Sequence, residues 1–136
     1  MSAQSEQLKE RTISFAVAML RLINGFPHAP AANVIGHQLA KSATSVGANY
    51  RAACSARSKP EFIATLQIVV EEAEESVYWL DVLDRSQLLP LDVRNARAEA
   101  SELRAIFASS LRTARANSRT STNPRPNPSI PQSMTK

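Results

Sequence analysis

Lysine and arginine side chains give this sequence its clearest chemical capacity, because they bind phosphate groups. The stretch of residues 41–59, KSATSVGANYRAACSARSK, has four bases and no acid. Further arginines fall within one quadrant of the last predicted helix. The candidate nucleic-acid-binding residues are therefore Lys41, Arg51, Arg57, Lys59, Arg94, Arg97, Arg104, Arg112 and Arg115.

A second interpretation of the arginine row in the last helix is equally consistent with the sequence. Residues 71–84, EEAEESVYWLDVLD, carry acids and no base. The arginines could form a solvated flank that pairs with these acids, in particular those of residues 71–75, across a boundary between subunits. Both interpretations stay open at this point.

The net charge of +4 is distributed unevenly along the 136 residues. Residues 1–102 have ten bases and twelve acids, a net charge of −2, whereas residues 103–136 have six bases and no acid, a net charge of +6. A basic tail on a nearly neutral body is typical of a protein with a polyanionic partner. The alternative is a tail that only improves solubility.

Residues that could support catalysis are few. The Glu-x-x-His pairs of di-iron bundles are absent, since Gly25 and Val34 precede the two histidines by three residues. No phosphate-binding GxxxxGK[ST] loop is found. Cys54 and His37 would lie about 25 Å apart on one helix. We therefore expect no enzymatic activity, no cofactor and no metal.

Four amphipathic segments predict an all-α, antiparallel up-down-up-down four-helix bundle. The predicted helices cover about residues 6–24, 33–57, 58–84 and 90–116, with Asn33 and Ser58 as N-caps. Residues 1–116 would form the bundle, and the Pro/Ser/Asn-rich residues 117–136 would form a disordered tail. No run of about 18 apolar residues is present, so we expect a soluble cytoplasmic protein without membrane contact.

Two helix faces predict contacts between copies of the chain. On the second helix, small residues form an arc next to the core-facing arc of Ile35, Leu39, Val46, Tyr50 and Ala53. On the third helix, a second apolar stripe lies opposite the core face, although scattered surface hydrophobes are the alternative. The candidate interface residues are Gly36, Ala40, Ala43, Gly47, Ile68, Trp79 and Val82.

Residues of the first three helices carry a resemblance to a known family. The segments are RTISFAVAMLRLI and QLAKSATSVGANYRAACSARSKPEFIATLQIVVEEAEESVYWLDVL, which lie within about residues 11–83. They resemble the four-helix-bundle proteins encoded in intervening sequences of bacterial 23S ribosomal RNA genes. The same family includes the accessory variability determinant of diversity-generating retroelements. Two positions depart from the usual pattern, Ala52, where Glu is common, and Thr65, where Lys is common nearby.

The resemblance implies a ring-shaped homopentamer with a central channel and a basic surface that binds RNA or DNA. In the retroelement branch it also implies a reverse transcriptase as a partner. The predicted function is accordingly a homo-oligomer that binds nucleic acid. The alternative is a structural or adaptor oligomer whose charges bind only its own subunits.

Overall fold

A computed structural model of the protein describes residues 2–122, and the side chains of residues 2–119. Four helices make up this part of the chain: α1 (Ala3–Asn24), α2 (Pro30–Cys54), α3 (Lys59–Ser86) and α4 (Arg94–Thr122). Each helix packs on the next one in sequence, and α4 also contacts α1, least extensively of these pairs. This arrangement confirms the predicted up-down-up-down bundle.

The start of α3 follows the capping signal in the sequence. The Ser58 hydroxyl accepts a hydrogen bond from the backbone N–H of Glu61 at 3.2 Å. The Glu61 carboxylate in turn accepts from the backbone N–H of Arg57 at 2.7 Å, one residue before the N-cap. Two backbone donors that the helix cannot satisfy itself are thereby bound, which fixes the α2–α3 turn.

The boundaries of α2 differ from the prediction at both ends. The helix begins at Pro30, and Asn33 is not its N-cap but lies in the first turn, where its N–H donates to the Ala29 carbonyl at 2.8 Å. Proline suits the first helical position because its φ is preset and its missing N–H would have no helical partner there. The helix ends at Cys54 rather than Arg57, which leaves room for the turn that precedes Ser58.

Helix α4 begins later and ends later than predicted. It starts at Arg94 rather than Pro90, after Asp92 accepts a hydrogen bond from the Arg94 N–H at 3.0 Å. It continues to Thr122, past the predicted end at Ala116, because the sequence has no Gly or Pro there before Pro124. Residues 123–136 lie outside the described part of the chain, so the disorder expected for them stays a prediction.

The core lies between all four helices and follows the predicted apolar faces. All five residues of the core-facing arc of α2 are buried. Tyr50 packs against Phe107 of α4 with ring centroids 4.9 Å apart. The one side-chain hydrogen bond between fully buried hydroxyls in the described residues joins Ser42 of α2 to Ser76 of α3 at 3.0 Å.

The small residues of α2 allow α1 of the same chain to pack closely against it. A Cβ atom added at Gly47 would lie 2.8 Å from Thr12 Oγ1, and one at Gly36 would lie 3.1 Å from Ile23 Cγ2. Ala43 is fully buried within the bundle. The assignment of Gly36, Ala43 and Gly47 to a contact between copies is therefore corrected, because α1 occupies this surface. Ala40, at the edge of the same arc, is only half-buried.

We expect Gly47→Ala to destabilise the bundle by about 1 kcal/mol. Alanine favours the helix by about 1 kcal/mol over glycine, but forcing a methyl group into a filled contact costs roughly 1–3 kcal/mol. Thr12 cannot easily withdraw, because it is fully buried and its hydroxyl donates to the Lys9 carbonyl at 2.7 Å.

Chemical denaturation measures this difference, and Gly25→Ala is the matched control. At Gly25 the nearest atom to an added Cβ is the Leu22 carbonyl oxygen at 3.5 Å, an ordinary contact. A Gly47→Ala variant more stable than the wild type would contradict the close approach of α1 to α2.

Candidate nucleic-acid interface

The antiparallel topology brings three basic segments to one end of the bundle. The C-terminus of α2, the N-terminus of α3 and the C-terminus of α4 all lie there, and Lys59 lines a groove together with Thr113 and Asn117. We call this region the basic end; it consists of Arg57, Lys59, Arg112, Arg115 and Arg119. It unites four of the predicted binding residues with Arg119.

A recess of about 560 Å³ opens at the basic end between α3 and the last turns of α4. Three arginines line it, with Ile63 on one side, and the full lining is Ile63, Arg112, Arg115, Ser118 and Arg119. No carboxylate is among these residues. The Arg115 guanidinium donates to the Gln67 side-chain oxygen at 2.5 Å, a neutral partner that orients the group and leaves its charge uncompensated.

The remaining arginines of α4 are paired with acids of their own chain. Arg97 Nε lies 2.6 Å from Asp81 Oδ1 on α3, and Arg97 Nη1 lies 3.5 Å from Asp84 Oδ2. Arg104 lies 3.9 Å from Glu74. The pairing with α3 that the sequence left open as an alternative is therefore present for these two arginines, within one chain rather than across a subunit boundary.

Arg94 is paired locally at the start of α4. Its guanidinium donates to both carboxylate oxygens of Asp92, at 3.0 and 2.8 Å. The hydrogen bonds from the Arg94 side chain and backbone lower the pKa of Asp92 to about 2. The row of arginines predicted from the sequence is thus divided, with its first part compensated and its last part, Arg112 and Arg115, without an acidic partner among the described residues.

An ion-pair cluster that the sequence analysis missed joins α1 to α4. Arg11 donates to both oxygens of Glu99, at 2.9 and 2.7 Å, and lies 3.0 Å from Glu102. These hydrogen bonds raise the pKa of Arg11. The two acids of α4 are therefore turned toward α1, and neither lines the recess at the basic end.

The two predicted binding residues on α2 lie in different surroundings. Arg51 is exposed in the last turn of α2, close to the basic end. Lys41 is exposed further back on the helix, where its charge favours the ionised form of Glu72 on α3. Lys41 is thus partly compensated by the acids of α3, and the structure does not bring it together with the basic end.

Apolar side chains are exposed on two opposite sides of the bundle. The α1 stripe consists of Ile13, Val17 and Leu20, each at least 38% exposed, at the i, i+4, i+7 spacing of one helix face. The α3 stripe consists of Ile68, Tyr78, Trp79 and Val82. The α1 stripe is not among the predicted interface residues, although its spacing in the sequence shows a second apolar face on that helix.

The structure modifies the predicted apolar stripe on α3. Ile68 is 41% exposed, as an interface residue would be in a single copy. Trp79 and Val82 are only partly exposed and pack against the core, and Trp79 Nε1 donates to Glu75 at 3.3 Å. Tyr78, which the sequence analysis did not select, is 57% exposed and packs edge-on against Trp79 at 5.0 Å.

Within residues 2–122, no group of three or more His, Cys, Asp or Glu side chains is arranged to hold a metal ion. None of the four helices is both long and apolar enough to cross a membrane, as far as the chain is described.

The order and packing of the helices define a four-helix-bundle protein. A profile of the 23S rRNA-intervening sequence proteins matches residues 5–109, and the chain belongs to this family. It is also similar to a crystal structure of a protein of unknown function from the S23 ribosomal protein family of Bacteroides thetaiotaomicron VPI-5482. The identity is 28%, the TM-score is 0.71, and the match covers 79% of this chain and 97% of the other. No curated protein matches the chain.

Glu72 on α3 is held in surroundings that disfavour its charge. Its Oε2 atom is buried and has no hydrogen-bond partner among the described residues. Burial raises the pKa of Glu72, the charges of Glu75 and Glu71 raise it further, and Lys41 opposes this shift. The raised pKa means that ionised Glu72 destabilises the fold relative to its protonated form.

We expect Glu72→Gln to become increasingly favourable as the pH rises. The folded-state pKa is raised, so wild-type stability falls as the pH rises from the unfolded-state pKa of about 4.5 through the folded-state value. Glutamine cannot ionise, so the variant does not lose stability in this way as the pH rises. Denaturant unfolding at several pH values should show the free energy of unfolding of the variant rising relative to that of the wild type above that range.

Glu10→Gln is the control for this measurement, because Glu10 is exposed on α1 and is not among the charges that shift the pKa of Glu72. A difference between Glu72→Gln and the wild type that does not change with pH would contradict the interpretation.

Proposed function

We propose that this protein is a non-enzymatic homo-oligomer that binds the phosphates of RNA or DNA through its basic end. The observation that carries the proposal is the division of the α4 arginines. Arg94, Arg97 and Arg104 are compensated by acids, whereas Arg112 and Arg115 point into a recess that has no acid. Uncompensated arginines at a concave surface are the groups that phosphate oxygens bind best.

The charges near the basic end strengthen this proposal. Arg57, Lys59, Arg112 and Arg115 form no ion pair with any carboxylate that the structure describes. The Glu61 carboxylate, bound to the backbone N–H of Arg57, offsets part of this charge, and the remaining positive potential would attract a polyanion. One copy presents a modest field, but several copies that contact one nucleic acid gain from the high effective concentration of the later contacts.

The positions of the apolar stripes support assembly. Helices α1 and α3 do not pack on each other; both contact α2 and α4, so they lie at diagonal corners of the bundle. Their outward stripes consequently face opposite sides. Two different apolar surfaces on opposite sides favour head-to-tail association, which closes into a ring when the rotation per copy permits. Five is the number of copies that the family resemblance implies.

Two other roles are expected from the sequence. A partnership with a reverse transcriptase stays an expectation from the resemblance alone. A structural or adaptor oligomer without nucleic-acid binding is the alternative function, and it shares the assembly surfaces but not the role of the basic end.

We expect the wild type to sediment as an oligomer at micromolar concentration and Val17→Asp to sediment as a smaller species. Val17 lies in the middle of the α1 stripe, where a buried carboxylate at a subunit contact would be strongly unfavourable. Val34→Asp is the matched control, because Val34 is 59% exposed on α2, outside both stripes. A monomeric wild type would refute the assembly.

We expect RNA and DNA binding to weaken steeply as salt increases, because each phosphate contact releases counterions. Arg57→Gln combined with Lys59→Gln should weaken binding and lower the slope of log K against log salt by about 1 for each lost contact. The matched control is Arg94→Gln with Arg104→Gln, which removes the same charge from compensated positions. Negligible binding by all three proteins at low salt would leave the adaptor role.

A further inference from the structure

We infer that the recess between α3 and the last turns of α4 binds the phosphates of a double helix in preference to those of a single strand. This inference rests on the proposed function and specifies its ligand. It depends on the rigidity of the arginine row, on the positions of the aromatic side chains, and on the acids that lie beyond the edge of the recess.

The arginines of the recess form a row on a continuous helix. Arg112 and Arg115 are separated by one helical turn, a rise of about 4.5 Å. Their backbone lies in the interior of α4, and Arg115 is additionally oriented by Gln67 at 2.5 Å. A duplex presents phosphates in a fixed array, one per about 3.4 Å of axis on each strand. A fixed row of donors can bind such an array directly, because the ligand does not have to become ordered first.

A single strand lacks the contacts that would offset its ordering. Proteins that bind single strands stack the bases on aromatic side chains. Ile63 is the only strongly apolar side chain that lines the recess, and no aromatic residue does so. Phe62 lines the neighbouring groove with Lys59, but it is partly buried and packs against the core. The exposed aromatic residue Tyr78 lies eleven positions beyond Gln67, about 16 Å along α3.

The acids of α3 limit the region that a nucleic acid can cover. Glu71 and Glu74 follow Gln67 by one and two turns, and Glu74 is only loosely paired with Arg104, at 3.9 Å. A phosphate backbone that ran along α3 toward Tyr78 would pass these carboxylates and be repelled. The footprint is therefore confined to the end of the bundle, where a rigid duplex can lie across the cationic residues.

The experiment compares binding of the full-length protein to a short blunt duplex RNA, a duplex DNA and an unstructured homopolymeric single strand of the same length. We expect both duplexes to bind about tenfold more tightly than the single strand at moderate salt, with a steeper salt dependence, since the slope per contact is about 0.9 for duplexes and about 0.7 for single strands. Fluorescence anisotropy at several salt concentrations measures both quantities.

Arg112→Gln with Arg115→Gln should remove most of the duplex preference and lower the duplex slope by about 1.8 for each recess that the duplex contacts, the value for two phosphate contacts. Both side chains are exposed, so the variant should fold, and its thermal unfolding checks this. Arg94→Gln with Arg104→Gln is the control of equal charge and should keep the preference.

The outcomes separate this inference from the proposed function. Equal or tighter binding of the single strand, or a duplex slope unchanged in the Arg112/Arg115 variant, would overturn the inference and leave nucleic-acid binding intact. Absence of binding to all three ligands at low salt would overturn both.

Discussion

The close packing of α1 on α2 is the constraint on which the other surfaces of the bundle depend. Thr12 occupies the space where Gly47 has no side chain, and Ile23 and Phe26 lie against Gly36. Helix α1 is thereby held close to α2, while its contact with α4 is slight and is strengthened by the ion pairs of Arg11. This placement buries Phe15 and Met19 and turns the α1 stripe outward.

A second level of organisation comes from the pairing of charges along α3 and α4. Asp81, Asp84 and Glu74 of α3 compensate arginines in the first part of α4, whereas Glu61, in the first turn of α3, accepts a hydrogen bond from the backbone N–H of Arg57. Such partly exposed ion pairs contribute little to stability, about 0–1 kcal/mol each. Their larger consequence is electrostatic, because they cancel positive charge along the side of the bundle and leave it uncancelled at one end.

The sequence predicts the fold well because helix periodicity and the Ser58 capping box are local signals. It predicts boundaries less well: Pro30 starts α2 earlier than the more conventional cap Asn33, and nothing stops α4 before Pro124. The site is predicted only in part, since charge pairing depends on which helices are neighbours. A helical wheel places Arg97 and Arg115 on the same face, but only the packed structure shows an acid beside one and Gln67 beside the other.

The small-residue arc of α2 is a second feature that the sequence predicts only in part. Its spacing correctly indicates a surface that a helix approaches closely, but spacing cannot distinguish a helix of the same chain from one of a second copy. The second apolar stripe on α3 is predicted from the sequence, whereas on α1 the contacts are needed to decide which of two apolar faces is buried.

In the proposed function, assembly and binding would be linked by the direction of these surfaces. Both stripes lie on the long sides of the bundle, so copies that associate through them lie side by side. In a closed ring whose axis runs parallel to the helices, every copy points its basic end to the same face. The recesses of neighbouring copies would then form a continuous cationic rim, while the compensated charges of α3 and α4 stay on the flanks. A duplex laid on such a rim would contact several recesses at once, so a few uncompensated bases per chain would suffice for the proposed binding.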